Sequence, residues 1–338
     1  MAQLDGIRAI AVLFVMVFHF IPWVDRYAPL GSMGVRLFFV LSGFLITRIL
    51  LDSRERPLGA ALKTFYARRF LRIFPLFYFA LFAAAAMNIS VVRATLGWHL
   101  AYLSNVYFYL QGNWQGAVSH FWSLAVEEQF YLVWPWLILC LPRAAVVWVV
   151  AVMIPLAPLT RLVIDHPMIS VLPTSCLDSL GLGALLAFQG SRRALATSCV
   201  LVGAPLLAGA LWLRYSGAGA GYQDLSTEAL AMVEIATDFG VSLVAVWLVG
   251  KAASGFGGLA GAILQWPPLV YLGTISYGVY VYHAFMPYLL GRWFGGAAQS
   301  LHWWSRSAIL AAASIVVASV SWHLLERPIL RLKRHFPA

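Results

Sequence analysis

The chain consists largely of apolar runs that are each about as long as a membrane-spanning helix. A helix needs about 20 apolar residues to cross the hydrocarbon core of a bilayer. Ten such runs lie at about 7–23, 33–51, 69–90, 121–141, 144–160, 174–190, 196–214, 226–250, 268–290 and 304–325. They are too long to be the strands of an outer-membrane barrel. The sequence therefore predicts an all-α, polytopic membrane bundle of about ten transmembrane helices.

The composition excludes the soluble classes of protein. Hydrophobic residues make up 62% of the 338 residues and charged residues only 11%, whereas soluble domains have about 45–50% and about 25%. A water-soluble fold of this length has too little polar surface to cover that apolar excess. The three cysteines lie at no disulfide-framework or zinc-ligand spacing. We therefore expect neither a soluble enzyme nor a disulfide-rich secreted scaffold, and no metal site.

The net charge of +10 is best explained by membrane topology. Most basic residues lie between apolar runs, and such residues accumulate on the cytoplasmic side of membrane proteins. If segment 96–111 does not cross, 16 of the 23 basic residues lie on the cytoplasmic side. If it crossed, every later loop would change sides, against this bias. We therefore expect both termini in the cytoplasm, segment 96–111 as a re-entrant or interfacial piece beside a cavity, and no nucleic-acid partner.

Two ionisable residues lie on one face of the first predicted helix. Arg8 and His19 are eleven residues apart, which is three helical turns and roughly 16 Å along the axis. Ionisable groups within a bilayer are costly and usually face a cavity or a partner. An arginine that reaches the membrane interface and a hydrogen-bonded core histidine would explain the pair equally well.

A second basic pair stands where the third helix enters the membrane. Arg69 and Arg72 are three residues apart and therefore share a helix face. Two guanidinium groups in this arrangement can bind a phosphate through charge-assisted hydrogen bonds. Anchoring of the cytoplasmic end by positive charge is the alternative explanation.

The run from Ser119 to Tyr131 places two acids, Glu127 and Glu128, within an apolar helix that has no basic neighbour in the local sequence. One acid can be solvated at the interface, but two idle acids are not expected there. In the second helix, Ser42 and Gly43 are small enough to let another helix approach closely.

One further face, on the predicted helix 268–290, carries Tyr280 and His283. Such a pair is more often ordinary packing than chemistry.

Five ordered motifs connect these segments: Leu-Asp-Gly-x-Arg-(x10)-His, Phe-Phe-Val-Leu-Ser-Gly-Phe-Leu-Ile, Arg-x-x-Arg, Phe-Trp-Ser-Leu-x-x-Glu-Glu-Gln-Phe-Tyr and Ile-Ser-Tyr-x-x-Tyr-x-x-His. With them the chain resembles the integral-membrane acyltransferase-3 family, which includes O-antigen, exopolysaccharide and Nod-factor acetyltransferases. The resemblance extends from Leu4 to Glu326-Arg327-Pro328. Many relatives have Asp where Arg36 stands, so the resemblance assigns Arg36 no role.

The resemblance implies a single integral-membrane acyltransferase domain over residues 1–338, in a bacterial inner membrane, without a fused extracytoplasmic transferase domain. Its implied activity transfers an acyl group, most commonly acetyl, from cytoplasmic acetyl-CoA to a hydroxyl of a cell-surface carbohydrate or its lipid-linked precursor. His19 would be the general base, with Glu128 orienting His19 or the sugar. The CoA phosphates would be bound by Arg8, Arg69 and Arg72. The acceptor would be bound by Trp122, Tyr280 and His283.

Two other classes of protein remain as alternatives. A secondary transporter would use Arg8, His19 and the acid pair as a substrate or proton path, and a flippase-like protein would bind a lipid-linked sugar. Transporters of this kind are usually built from inverted repeats with interrupted helices in matching halves, and the sequence shows no such repeat.

Overall fold

The computed structural model describes residues 1–89, 91–189, 193–216, 226–295 and 300–337. All regular structure within these ranges is helical, which confirms the predicted all-α class. The helices are α1 (Ala2–Phe20), α2 (Leu30–Asp52), α3 (Leu58–Ala86), α4 (Leu96–Leu100), α5 (Ser104–Gln111), α6 (Phe121–Cys140), α7 (Arg143–Val163) and α8 (Leu177–Gln189). They continue with α9 (Arg193–Ser216), α10 (Thr227–Ser254), α11 (Gly258–Leu264), α12 (Pro267–Thr274), α13 (Ser276–Tyr282), α14 (Met286–Phe294), α15 (Trp303–Ser321) and α16 (Arg327–Leu330).

Seven helical segments of the described chain are long and apolar enough to cross a bilayer, so the chain is a multi-pass membrane protein. They are Ala2–Phe20, Leu30–Asp52, Leu58–Ala86, Arg143–Val163, Ala194–Tyr215, Glu228–Ser254 and Trp303–His335. Each coincides with one of the ten predicted spans. The other three predictions, 121–141, 174–190 and 268–290, correspond to the 20-residue helix α6, to a short helix after a 3₁₀ turn, and to a broken segment.

The predicted single helix over 268–290 is wrong, because the chain there is divided into α12, α13, a 3₁₀ turn over His283–Phe285 and α14. Pro287 stands in the first turn of α14. A proline has no backbone N–H and disfavours helical geometry in the residue before it, so it belongs at a helix start and not within a helix. The break places His283 at the turn between α13 and α14. The apolar composition of the segment gives no sign of this interruption.

Helices α2 and α8 cross at a very short distance, because each has a glycine that packs against the backbone of the other. A Cβ atom added at Gly43 would collide with the carbonyl oxygen of Leu180, and one added at Gly183 would collide with that of Val40. This confirms the close approach predicted at Gly43. The contact fixes α8 against α2, which lines both cavities described below.

Segment 96–111 forms the two short helices α4 and α5 and does not form a spanning helix. Asn105 is fully buried, and it exchanges two hydrogen bonds with Gln129 of α6, at 3.2 and 2.9 Å. Irregular backbone at membrane depth is tolerated where protein buries it. The segment contributes no residue to the wall of either cavity described below, but the ring of Phe108 lies 6.3 Å from that of Trp114, which lines the larger one.

Contacts between loops place both chain termini at the same end of the bundle. Gln3 bonds to the carbonyl of Phe256 at 3.0 Å, and Arg56 bonds to that of Pro337 at 3.0 Å. At the opposite end, Arg292 bonds to the carbonyl of Met87 at 3.1 Å.

Candidate active site

A small charged cavity lies among α1, α2, α3, α6 and α13. Its volume is about 120 Å³. Three arginines and two glutamates stand on its wall: Arg8, Arg69, Arg72, Glu127 and Glu128. The structure thus brings together residues that are up to 120 positions apart in the sequence, and it unites the three predicted phosphate ligands.

The three arginines are held in different ways. Arg8 makes an ion pair with Asp5, at 2.5 Å between Nη1 and Oδ1. Arg69 lies over the ring of Tyr131 at 5.3 Å, and Arg72 lies over the ring of Trp322 at 5.5 Å. Neither of these two arginines makes an ion pair with any residue that the structure describes. Aromatic faces attract a guanidinium without neutralising it, so both charges remain available to an anion.

The two glutamates differ in their surroundings. Glu127 accepts a hydrogen bond from Ser42 at 2.5 Å, and Ser42 in turn accepts one from Tyr131 at 2.9 Å. Ser42 therefore acts as a hydrogen-bonding residue of the cavity, beyond the packing role that its size predicted. Glu128 lines the same cavity and makes no hydrogen bond to a described residue.

A larger cavity of about 570 Å³ lies next to the first. Its wall includes His19 of α1, together with the tryptophans Trp114 and Trp122. The imidazole of His19 is exposed to this space. Val35, Phe39 and Tyr280 line both cavities and separate them. Arg8 and His19, which share a face of α1, therefore belong to two cavities in series.

The geometry of His19 fixes its tautomer. Its Nδ1 lies 2.8 Å from the carbonyl oxygen of Val15. A carbonyl oxygen can only accept a hydrogen bond, so Nδ1 carries the proton and Nε2 presents a lone pair. Val15 orients the ring, and Glu128, which lines the other cavity, makes no hydrogen bond to His19.

Two further histidines stand beside His19. The His283 ring centroid is 4.8 Å from that of His19 and 4.9 Å from that of His120. Nδ1 of His283 bonds to the carbonyl of Tyr280 at 2.6 Å, and its Nε2 has no partner. Tyr280 contributes its hydroxyl, which lies 2.5 Å from Oγ of Ser123. No group of three or more metal-ligating side chains with metal-binding geometry occurs in the described part of the chain.

His120 was not predicted as a site residue. Its Nε2 bonds to the carbonyl of Val281 at 3.1 Å. It stands immediately before the Phe-Trp-Ser-Leu motif, which also contains the acid pair. This position was the one signal that could have identified it. Trp122 lines the larger cavity, with its ring centroid 6.5 Å from that of Trp114.

A buried ionic cluster forms the floor of the larger cavity. Arg36 contacts Asp178 at 3.1 Å and Asp238 at 2.5 Å, while Arg161 contacts the same two acids at 2.5 and 2.8 Å. Asp178 is fully buried. The two positive and two negative charges balance, and they connect α2, α7, α8 and α10. The resemblance assigned Arg36 no role, and in the structure this residue is an ion partner that links these helices.

A family model and several curated proteins are similar to this chain. The sequence profile described as "Acyltransferase domain" matches residues 1–323. The peptidoglycan O-acetyltransferase OatA of Listeria monocytogenes is 28% identical, over 97% of this chain and 55% of its own length. The putative peptidoglycan O-acetyltransferase YrhL of Bacillus subtilis is 25% identical, over 96% of this chain and 54% of its own length.

A putative O-acetyltransferase of Staphylococcus aureus, SAS0844, is 34% identical over 40% of this chain and 24% of its own length. The chain spans about half the length of the first two relatives. No solved structure matches it. Because the family profile covers nearly the whole sequence, the chain belongs to the integral-membrane acyltransferase-3 family.

Proposed function

We propose that the protein is a membrane O-acyltransferase that moves an acetyl group from cytoplasmic acetyl-CoA to a hydroxyl of a cell-surface carbohydrate or its lipid-linked precursor. One observation carries the proposal: two cavities in series along α1, one with unpaired arginines and one with an exposed imidazole. A transferase that uses a cytoplasmic donor and an external acceptor needs these two half-sites. One membrane domain over 1–338 would provide both.

The smaller cavity is the donor side in this proposal. Arg69 and Arg72 keep their charge available, and Arg8 stands beside them. Its volume of about 120 Å³ is too small for a whole coenzyme, so it would hold only part of the donor. The separation of Arg8 and His19, roughly 16 Å along the helix, is comparable with the length of a pantetheine arm. Phosphates bound near the arginines would therefore let the thioester reach His19.

His19 would act as the general base. The hydroxyl oxygen of the acceptor attacks the thioester carbonyl carbon while Nε2 of His19 takes the hydroxyl proton. The carbon–sulfur bond then breaks, and the CoA thiolate leaves and receives that proton from the imidazolium. Such bases contribute about 10²–10⁴-fold to a rate. A neutral imidazole with a free Nε2 suits this step without a metal.

The relatives support the proposed acceptor and location. Two relatives are named for peptidoglycan O-acetylation, which supports a cell-envelope glycan as the acceptor and the bacterial inner membrane as the location. Trp122 would bind the acceptor with Tyr280 and His283 from the same region. Both termini would be cytoplasmic, as the distribution of basic residues favours.

The transporter and flippase alternatives lack support, because the relatives are named as acetyltransferases. The deciding experiment incubates the purified protein in lipid nanodiscs with acetyl-CoA labelled in the acetyl group. We expect thioester cleavage, and transfer of label when a glycan acceptor is added. Saturable acetyl-CoA-independent sugar uptake into proteoliposomes, with no thioester cleavage, would contradict the proposal.

A further inference from the structure

The larger cavity has an aromatic feature that no motif predicts. Trp114 lies between α5 and α6, and its side chain is 52% exposed although it lines this cavity. Gly112 and Gly116 flank it with φ values of +67° and +68°, a left-handed conformation that glycine adopts readily. The backbone amide of Gln115 donates to Oγ of Ser119 at 2.9 Å. The loop thus has a defined shape that presents a large aromatic side chain to the cavity.

The charges on the cavity wall restrict the chemistry of its ligand. Arg36 and Asp238 already have ion partners within the buried ionic cluster. Of the charged side chains that remain on the described wall, Asp25 and Glu234 are acidic and Arg214 is basic, with Arg214 only 4.0 Å from Asp25. A diphosphate would meet two carboxylates and one guanidinium that already has a partner. Like charges at such distances repel, so the wall disfavours an anionic ligand.

The same wall favours a ligand that is rich in hydroxyl groups. Carboxylates accept hydrogen bonds from hydroxyls, and a guanidinium donates to them. An exposed indole offers a broad apolar face. The volume of 570 Å³ falls within the range of small-molecule sites, about 300–1,000 Å³.

We infer that the larger cavity is the acceptor subsite for an uncharged, hydroxyl-rich sugar ring, and that Trp114 is its stacking platform. The inference rests on the proposed function, because it names the class of acceptor that reaches His19. It also implies that a lipid diphosphate, where the acceptor has one, stays outside this cavity.

The test uses the full chain in lipid nanodiscs and two probes, chitotetraose as an uncharged sugar and UDP-N-acetylglucosamine as a sugar with a diphosphate. Binding is measured by isothermal titration calorimetry for the wild type, Trp114→Ala, Trp114→Phe and Trp148→Ala. Trp148 is a matched control, because it is 74% exposed on α7 and lines neither cavity. Cleavage of labelled acetyl-CoA is measured in parallel.

We expect chitotetraose to bind the wild type more tightly than UDP-N-acetylglucosamine does. Trp114→Ala should weaken chitotetraose binding about tenfold, as loss of an aromatic contact of about 1.4 kcal/mol does. Trp114→Phe should retain most of the affinity, and Trp148→Ala all of it. Wild-type affinity in Trp114→Ala, no chitotetraose binding to the wild type, or tighter binding of the diphosphate would overturn the inference. Sugar binding without any acetyl-CoA cleavage would instead overturn the proposed acyltransferase function and leave the sugar subsite standing.

Discussion

The two cavities differ in size, in charge and in how their polar groups are held. The smaller one has about 120 Å³ and five arginine and glutamate side chains, of which Arg69 and Arg72 lie over aromatic rings. The larger one has about 570 Å³, a floor of neutralised charges and an imidazole that faces open space. The first is built to hold a small charged group tightly, and the second to admit a bulky polar one.

This difference indicates that ligand recognition and chemistry take place at different positions along the same helix, α1. Three turns of α1 separate Arg8 from His19, so the same rigid element sets the distance between the two half-sites. A rigid element holds reacting groups with better precision than a loop does. Variants in one cavity should therefore affect one substrate and leave binding of the other intact.

The largest effect is expected from His19. His19→Gln keeps hydrogen bonding but cannot accept a proton, so it should lower acyl transfer by about 10²–10⁴-fold if proton abstraction is its role. His19→Ala should be equally inactive, yet both variants should insert normally into the membrane. Transfer rates are measured with labelled acetyl-CoA, and insertion by membrane fractionation. Retention of most of the rate in His19→Gln would make His19 a positioning residue.

The second-largest effect is expected on the stability of the protein, from the buried ionic cluster at the floor of the larger cavity. Arg36→Met leaves two buried acids with one arginine, and breaking a buried ion pair costs about 3–5 kcal/mol. Thermal unfolding in detergent should show a clearly lowered midpoint. Arg26→Met, at an exposed arginine outside the cluster, is the matched control. Equal midpoints for the two variants would show that the cluster does not hold α2, α7, α8 and α10 together.

The smaller cavity is tested through its free arginines. Arg69→Ala and Arg72→Ala should each weaken acetyl-CoA binding about 10- to 100-fold, because charge-assisted hydrogen bonds contribute about 1.5–3 kcal/mol. Arg68→Ala is the control, since Arg68 bonds to the carbonyl of Phe336 and lines neither cavity. Titration of CoA provides the measurement. Wild-type affinity in both variants would show that these arginines only anchor the cytoplasmic end of the helix by their positive charge.

The smallest effect is expected from Ser42. Ser42→Ala removes the hydroxyl that bridges Glu127 and Tyr131, and a neutral hydrogen bond contributes about 0.5–1.5 kcal/mol. We expect a loss of transfer of about two- to tenfold. Ser53→Ala is a suitable control, because Ser53 is bonded to the carbonyl of Ile49 in its own helix. A rate equal to that of the control would show that Glu127 needs no positioning.

Local spacing predicted which of these side chains share a helix face. The eleven-residue interval between Arg8 and His19, and the three-residue interval between Arg69 and Arg72, lie within single helices, where periodicity decides which side chains share a face. The apolar runs likewise predicted the all-α class, because a bilayer imposes a minimum helix length.

Other features depend on contacts that no local pattern contains. Arg36 and Asp178 are 142 residues apart in sequence, and Arg36 and Asp238 are 202 apart. The separation of Glu128 from His19 follows from how α6 packs against α1 and α2. Tertiary packing determines each of these, and a single sequence does not reveal it.

The partition formed by Val35, Phe39 and Tyr280 affects whether protons can pass through the protein from one cavity to the other. The hydroxyl of Tyr280 lies 2.5 Å from Oγ of Ser123 and 3.0 Å from the carbonyl oxygen of His120, so protein groups occupy it. Two apolar side chains and a hydroxyl that is already hydrogen-bonded to the protein leave no free polar group to bind a continuous chain of water molecules. A pantetheine arm that extends from the arginines to His19 has to displace these side chains, so we expect the layer to oppose proton passage between the two cavities only while no donor is bound.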